Sequence, residues 1–306
     1  MLRKLFLISI ISSVSLFGFI YDLKPKKITE NVWCFLGDLS APTKHNGGFM
    51  SNSCYIKSDS SYILVDSGSS YLFAKQAYKA MSKIEKLPVS HILVTHEHDD
   101  HWLGNNFYKE KFNSKILGPS IINKDYEPSS KTRMMNILPK EIMANTSVVK
   151  IDKEIVEPLT LEINNKTIEI IPLGYKAHSS DDLLVFLPQE KVMFTGDVVM
   201  NGRVTSNRDG SLIGQLKALD QIDAMNWDYL VAGHGYDTSK NATKEIRKYF
   251  TLLKQRVLEA IENEVEASTI TKFVKLEEFK DFAMYDIFNK RNIFDAFSEL
   301  EFYEEE

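Results

Sequence analysis

Three of the chain's seven histidines fall within six residues, His96-Glu97-His98-Asp99-Asp100-His101, directly after the uncharged run Ile92-Leu93-Val94-Thr95. No other feature limits the possible folds as strongly. A short run of branched and aliphatic residues reads as a buried strand, and the groups released at its carboxyl end lie where α/β sheets gather chemistry from distant parts of the chain. His178 and His234 also follow short apolar runs, and Asp66 and Asp197 hold matching positions. One histidine in such a place is usually a satisfied structural residue. Five of them, with two aspartates, describe a site.

The rest of the pattern supplies sheets and helices around these positions. Residues 28–36, 53–57, 62–66 and 91–95 read as strands, and residues 71–86 as a helix stopped by Pro88. The second half repeats this logic: a hairpin pairs residues 159–163 with 167–171 across Asn164-Asn165-Lys166, followed by strands at 184–187, 192–195 and 229–232. A long helix beginning near Ser239 puts Ala242, Ile246, Tyr249, Leu253, Val257, Ala260 and Ile261 on one side, which is core spacing. The expected class is α/β, an αββα sandwich: two mixed sheets packed face to face with helices on both outer sides. Residues 21–306 form one such domain, with 239–306 as its C-terminal helical part. Residues 126–143 read equally well as an excursion over the site or as a linker.

Composition sets the partners. With 306 residues, 43% of them hydrophobic, there is ample material for one large core. A net charge of -5 and the lack of a basic run argue against nucleic acid. Arg3 and Lys4 precede an uncharged stretch from Leu5 to Ile20, the pattern of a secretory signal peptide, with an uncleaved anchor as the alternative because the cleavage pattern is poor. The expectation is an exported, periplasmic protein acting on a small molecule, without stable membrane insertion unless the leader is retained. Oligomeric state is left open. Cys34 and Cys54 lie on two early strands; export permits a disulfide, but two buried free thiols are the expected state, since a domain this large needs no staple.

His96 and His98, two apart just past a strand, can point to one side, while Asp100 and His101 come as the chain turns into a helix and line a neighbouring space. Imidazole mixed with carboxylate, and no thiolate, suits zinc; manganese and iron are the alternatives that so much carboxylate leaves open.

These residues resemble the metallo-β-lactamase superfamily. Thr95-His-Glu-His-Asp-Asp-His101 is similar to its T-H-x-H-x-D-H signature; the motif containing Asp66 (LVDSG) is similar to its first acidic motif, and those containing His178 (AHSS), Asp197 (FTGD) and His234 (AGHG) to its third, fourth and fifth. The resemblance implies two metal ions: His96, His98 and His178 hold one, Asp100, His101 and His234 the other, and Asp197 bridges them. Asp100 and Asp197 are then the catalytic carboxylates, and Asp66 orients ligands without binding metal. The implied activity is a dinuclear zinc hydrolase in which a hydroxide shared by the ions attacks an ester, thioester, amide or related bond. The alternatives are a persulfide dioxygenase-like enzyme with one iron, a β-lactamase, and a metal-binding protein without catalysis. Asp197 stands where one lactamase subclass has Cys and another generally lacks a bridging acid, which points away from lactamases. The sequence after His178 also resembles exported hydrolases associated with quinoprotein and sulfur-oxidation systems.

For substrate contacts the candidates are His45, Asn52 and Arg203, with Arg208 a weaker one; His45, Gly47, Gly48 and Asn52 lie on a loop expected to edge the metal site. His91 is expected to be structural. Glu97 and Asp99 are expected to face solvent or to cap the following helix.

Overall fold

A computed structural model describes residues 18–303. The leader expected at residues 1–20 therefore lies almost wholly outside the described residues. Among the described residues no helix is long and apolar enough to cross a membrane.

Seven strands form the first sheet, in sequence order: β1 (Lys26–Lys27), β2 (Val32–Phe35), β3 (Ser53–Lys57), β4 (Tyr62–Val65), β5 (Val89–Leu93), β6 (Lys115–Gly118) and β7 (Lys153–Glu154). The first four pair antiparallel and the remaining pairs, from β4 to β7, are parallel. Five strands form the second: β8 (Leu159–Ile163), β9 (Lys166–Pro172), β10 (Leu183–Leu187), β11 (Val192–Phe194) and β12 (Tyr229–Val231), with only β11 and β12 parallel. Both sheets are mixed, as the pattern predicts.

The core has three layers, and strand alternation makes them. Val32, Cys34, Ile56, Ile63 and Val65 point inward against Ile168, Ile170, Val185 and Phe194 of the other sheet. Their neighbours Trp33, Phe35, Tyr55, Tyr62 and Leu64 point outward under helices α1 (Tyr71–Met81), α2 (Asp99–Trp102), α3 (Asn105–Phe112), α4 (Ser120–Asp125) and α5 (Arg133–Ile137). The second sheet's outer face carries α6 (Leu212–Asp223), α7 (Lys244–Glu262), α8 (Ile270–Phe273) and α9 (Tyr285–Leu300). The C-terminal helices thus share one core with the sheet. Strands buried on both faces explain the near-continuous apolar runs in the sequence.

Two expectations are corrected here. The first helix ends at Met81, five residues before Lys86, because the Ser82 hydroxyl donates to the Tyr78 carbonyl (2.7 Å) and the chain turns toward Pro88. Cys34 and Cys54 are joined by a disulfide rather than free. They stand directly opposite each other in the β2–β3 ladder, so antiparallel pairing itself brings the sulfurs together. The bond closes a loop with a sequence separation of 20, and a cross-link of that span stabilises by about 3 kcal/mol. Chemical denaturation of a Cys34→Ala/Cys54→Ala double variant is expected to give a lower unfolding free energy by about 2–4 kcal/mol; a denaturation midpoint equal to that of the oxidised wild type would contradict this.

Candidate metal centre

The carboxyl ends of the central strands meet at one edge of the sandwich. Asp66 follows β4, His96 and His98 follow β5, Asp197 follows β11 and His234 follows β12; His178 lies on the connection from β9 to β10. Hydrogen bonds tie the two sheets together there, from Leu183 N–H to Thr95 O (2.8 Å) and from Asn52 N–H to Gly233 O (2.8 Å). The chain closes tightly around Asp197. Gly196 has φ +51°, in the left-handed region, and a Cβ on Gly233 would overlap the Asp197 carboxylate.

Seven side chains converge in two groups whose candidate donor atoms all lie within 4.8 Å of one another: His96, His98, His178 and Asp197, and then Asp100, His101 and His234. All but His98 are buried. Their outer partners fix which ring nitrogen carries a proton. Thr95 gives its hydroxyl proton to Asp66 Oδ2 (2.8 Å), so its oxygen accepts His96 Nδ1–H (3.1 Å). His98 Nε2–H donates to Asp209 Oδ2 (3.3 Å). Thr205 donates to Ser206 O (3.5 Å) and accepts His178 Nδ1–H (3.3 Å). His101 Nδ1–H donates to Asp66 Oδ2 (2.7 Å), and His234 Nδ1–H to Met50 O (2.6 Å). In each neutral imidazole the inward nitrogen is then a lone pair.

Those lone pairs face each other. His98 Nδ1 lies 3.1 Å from His96 Nε2 and 2.9 Å from His178 Nε2, three acceptors around one point. His101 Nε2 and Asp197 Oδ1, 3.1 Å apart, are both buried without a hydrogen-bond partner. Asp197 spans the groups: Oδ2 lies 3.4 Å from His178 Nε2 and 3.6 Å from His96 Nε2, while Oδ1 lies 3.4 Å from His234 Nε2. Asp100 Oδ2 lies 3.5 Å from His234 Nε2 and 3.8 Å from His101 Nε2. Buried acceptors this close repel unless a cation sits among them. The residues therefore fit metal ions.

Burial pushes His96 well below the ordinary imidazole value, His178 down to about 3, and His234 down as well. Burial opposes protonation of His98 and His101 too, but Asp209 raises the first, and Asp197 and Asp66 raise the second much further. Against a burial that favours the neutral acid, Asp100 is held below the carboxylate range by Arg133, His101 and His234, and Asp197 by His234, His101 and His96.

The profile of the "Metallo-beta-lactamase superfamily" matches residues 46–234. The chain belongs to the metallo-β-lactamase superfamily. Solved structures agree on the fold. A metallo-beta-lactamase from Pontibacter korlensis superposes with a TM-score of 0.60 at 19% identity, covering 75% of this chain and 99% of that one. VMB-1 superposes with a TM-score of 0.57, also at 19% identity, covering 76% and 98%.

The superfamily motifs are surrounded by residues that the sequence analysis missed. The segment 126–143 is an excursion over the site: Arg133 on α5 donates to Asp100 Oδ1 (2.7 Å) and lies 3.1 Å from Asp99 Oδ1. Asp99 is buried, so the expectation that it faces solvent is corrected; it opens α2, but its carboxylate accepts the Met134 N–H (2.6 Å) in the first turn of α5 rather than an N–H of the helix that follows it. Glu97 is half-buried and accepts from Ser180 (3.3 Å). Thr205 and Asp209 lie on a loop after Asp197 that reaches His178 and His98, and α9 holds that loop: Asn292 donates to Thr205 O (2.7 Å) and accepts from Asn207 N–H (3.0 Å).

The substrate candidates divide. Arg203 and Arg208 line the cavity above the clusters. His45 does not; it is exposed and lines a surface hollow with Phe49 and Tyr236. Its loop does edge the site, through Met50 and through Ser51, whose hydroxyl donates to Asp100 O (2.6 Å). Asn52 is buried beneath, accepting from Gly37 N–H and donating to Ala232 O and Gly235 O, which positions the turn carrying His234. His91 is half-buried on β5 beside Ser90.

Two outcomes follow. By taking one oxygen of Asp100, Arg133 leaves the other facing His234; Arg133→Ala should weaken metal binding at the Asp100 group about 10-fold, in line with loss of an outer partner. Competitive chelator titration would show equal affinities if the contact is idle. The metal-free protein should be most stable near pH 6.5. His96, His178, His234, Asp100 and Asp197 have depressed values when folded, so their stability is full above their unfolded values and is lost on acidification; for His178 the window runs from 6.5 to about 3. His98 and His101 are raised, so their contribution is full below 6.5 and is lost as pH rises. Asp182, which burial pushes up to about 6, offsets a part of the acid flank. Thermal melts in chelator from pH 3 to 9 test this, and a midpoint that climbs steadily toward acid contradicts it.

Proposed function

We propose that this chain is a dinuclear, zinc-dependent hydrolase. His96, His98 and His178 would hold one ion, Asp100, His101 and His234 the other, with Asp197 lying between the two groups. The observation that carries this reading is the complete inward set: five imidazole lone pairs with both oxygens of one buried carboxylate between them. When bound, a pair of such ions lowers the pKa of water and polarises the bond under attack. The chain's own residues supply the geometry. Asp66 fixes His101 directly and His96 through Thr95; Asp209 and Thr205 fix His98 and His178. Asp197 Oδ1 and Asp100 Oδ2, both near His234 Nε2, are the acceptors available for a proton at the centre.

The bond broken is an ester or thioester in this reading. Two alternatives carry less weight. The intact Asp100–His101–His234 group counts against a one-iron persulfide dioxygenase. A β-lactamase is suggested by the names of the two solved structures, but at 19% identity these speak only for the fold. Export is supported by the uncharged stretch 5–20 and by the buried disulfide, which suits an oxidising compartment. The substrate is a small molecule.

Metal analysis of protein purified without added metal, followed by assays of the zinc-loaded form on an acyl-glutathione, a chromogenic cephalosporin and aryl esters, tests the proposal. About two zincs per chain and thioester or ester turnover are expected, with Asp197→Ala losing at least the roughly 100-fold that removal of an outer partner can cause. One iron per chain would overturn it.

A further inference from the structure

Arg203 is 5% exposed, and its Nε is buried without a hydrogen-bond partner. Its Nη1 lies 3.3 Å from His234 Nδ1, but that nitrogen already gives its proton to Met50 O at 2.6 Å, so two donors meet there. Among the described residues, no carboxylate lies within ion-pair distance of Arg203. The other described arginines all have one: Arg133 meets Asp99 and Asp100, Arg208 meets Asp209, and Arg247, Arg256 and Arg291 meet acids on or near their helices. The most buried guanidinium is thus the one left without a counter-charge.

The backbone holds it there. Arg203 bridges to Ala283 in parallel fashion, flanked by hydrogen bonds from Val204 N–H to Ala283 O (2.9 Å) and from Ala283 N–H to Gly202 O (3.1 Å). Its side chain lines a cavity of about 70 Å³ shared with Asp100, Asp197, His234, Met50 and Phe288. Burial disfavours the charged guanidinium, Asp197 and Asp100 offset this only in part, and metal ions would draw on that same negative charge. An incoming anion then becomes the missing partner. A buried guanidinium fork matches a planar carboxylate donor for acceptor, and a single unpaired fork neutralises a single charge.

We propose that Arg203 forms an anion subsite beside the metal centre and selects a small-molecule substrate bearing a carboxylate close to the bond that is broken. The word substrate rests on the hydrolase reading; the anion site does not. The small cavity admits the carboxylate and its nearest atoms, while a larger leaving group would extend past Phe288 to solvent.

Calorimetry of the zinc-loaded protein with succinate measures the subsite without turnover. Arg203→Gln is expected to weaken succinate binding about 10-fold or more, as for loss of a charged hydrogen bond. In parallel, wild type should prefer an aryl hemisuccinate ester over the matching aryl acetate, and the variant should bring that kcat/KM ratio toward one, chiefly through KM. Zinc content checks that the centre survives. If Arg203→Gln does not accumulate as folded protein, Arg203→Lys, which keeps charge but loses the fork, carries the test with a loss of about 5-fold or more. Unchanged succinate affinity overturns the proposal. So does inorganic phosphate showing the larger dependence on Arg203, since a second charge would then be read. If succinate binding falls while neither ester is hydrolysed, the subsite stands and the hydrolase reading fails.

Discussion

The Asp197 carboxylate is the point to which the site end of the sandwich is fitted. One oxygen faces His96 and His178, the other His101 and His234, and neither has room to turn away. Gly233 and Gly196 let two strand ends from the second sheet pass against it, and Asn52 from the first sheet clamps the turn that follows. A buried carboxylate among so many acceptors is unfavourable without positive charge. In the metal-free chain burial opposes protonation of His98 and His101, but the surrounding acids raise both and favour a second ring proton there. Cations that bind there replace protons, so metal affinity, pH and stability are one coupled quantity in this molecule.

Asp66 and Thr95 lie beside the inner residues they orient, but other outer partners reach in from loops away from the strand ends. Arg133 reaches Asp100 from an excursion between β6 and β7, and the loop 203–209 reaches His234, His178 and His98 in turn. That loop has little regular structure of its own. Its order comes from α9, where the fully buried Asn292 satisfies backbone groups on either side of Ser206. The C-terminal helix is therefore part of the site's support, although it contributes no group to the two clusters. Its Phe288 also lines the cavity wall.

This division explains what the sequence made legible. His96, His98, Asp197 and His234 stand just past strands, Asp100 and His101 follow in the same run as α2 begins, and such strand ends can be read from hydrophobic runs a few residues long. The αββα layering is legible for the same reason, since strands buried on both faces leave continuous apolar runs. Arg133, Thr205 and Asp209 carry no local signal: each meets its histidine or aspartate through tertiary folding across 27 residues or more. His45 misled because its loop does reach the site, but the turn at residues 43–49, held by Asn46, points the imidazole outward and sends Met50 and Ser51 inward. The cysteine pair depended on register. Only the β2–β3 pairing, closed by the long connection between those strands, sets Cys34 opposite Cys54. Asp99 does open α2, but its burial was not legible because the residues that bury it, Arg133 and Met134, lie far along the chain.

Charge balance sets the two inner groups apart from Arg203. The two inner groups are internally matched: each lone pair has an outer partner that sets it, and each carboxylate has imidazoles around it. A mismatch persists at Arg203, a buried cationic fork whose neighbouring acids are also the groups that would be committed to metal. Folding alone does not favour such an arrangement, because a neutral side chain of similar volume would avoid the desolvation of the guanidinium. Its backbone bridge to Ala283 shows that the position is fixed rather than incidental to a loose loop. A site whose charges close only when an anion arrives discriminates by charge before any bond is broken, and that discrimination belongs to the loop after Asp197 rather than to the ligand set.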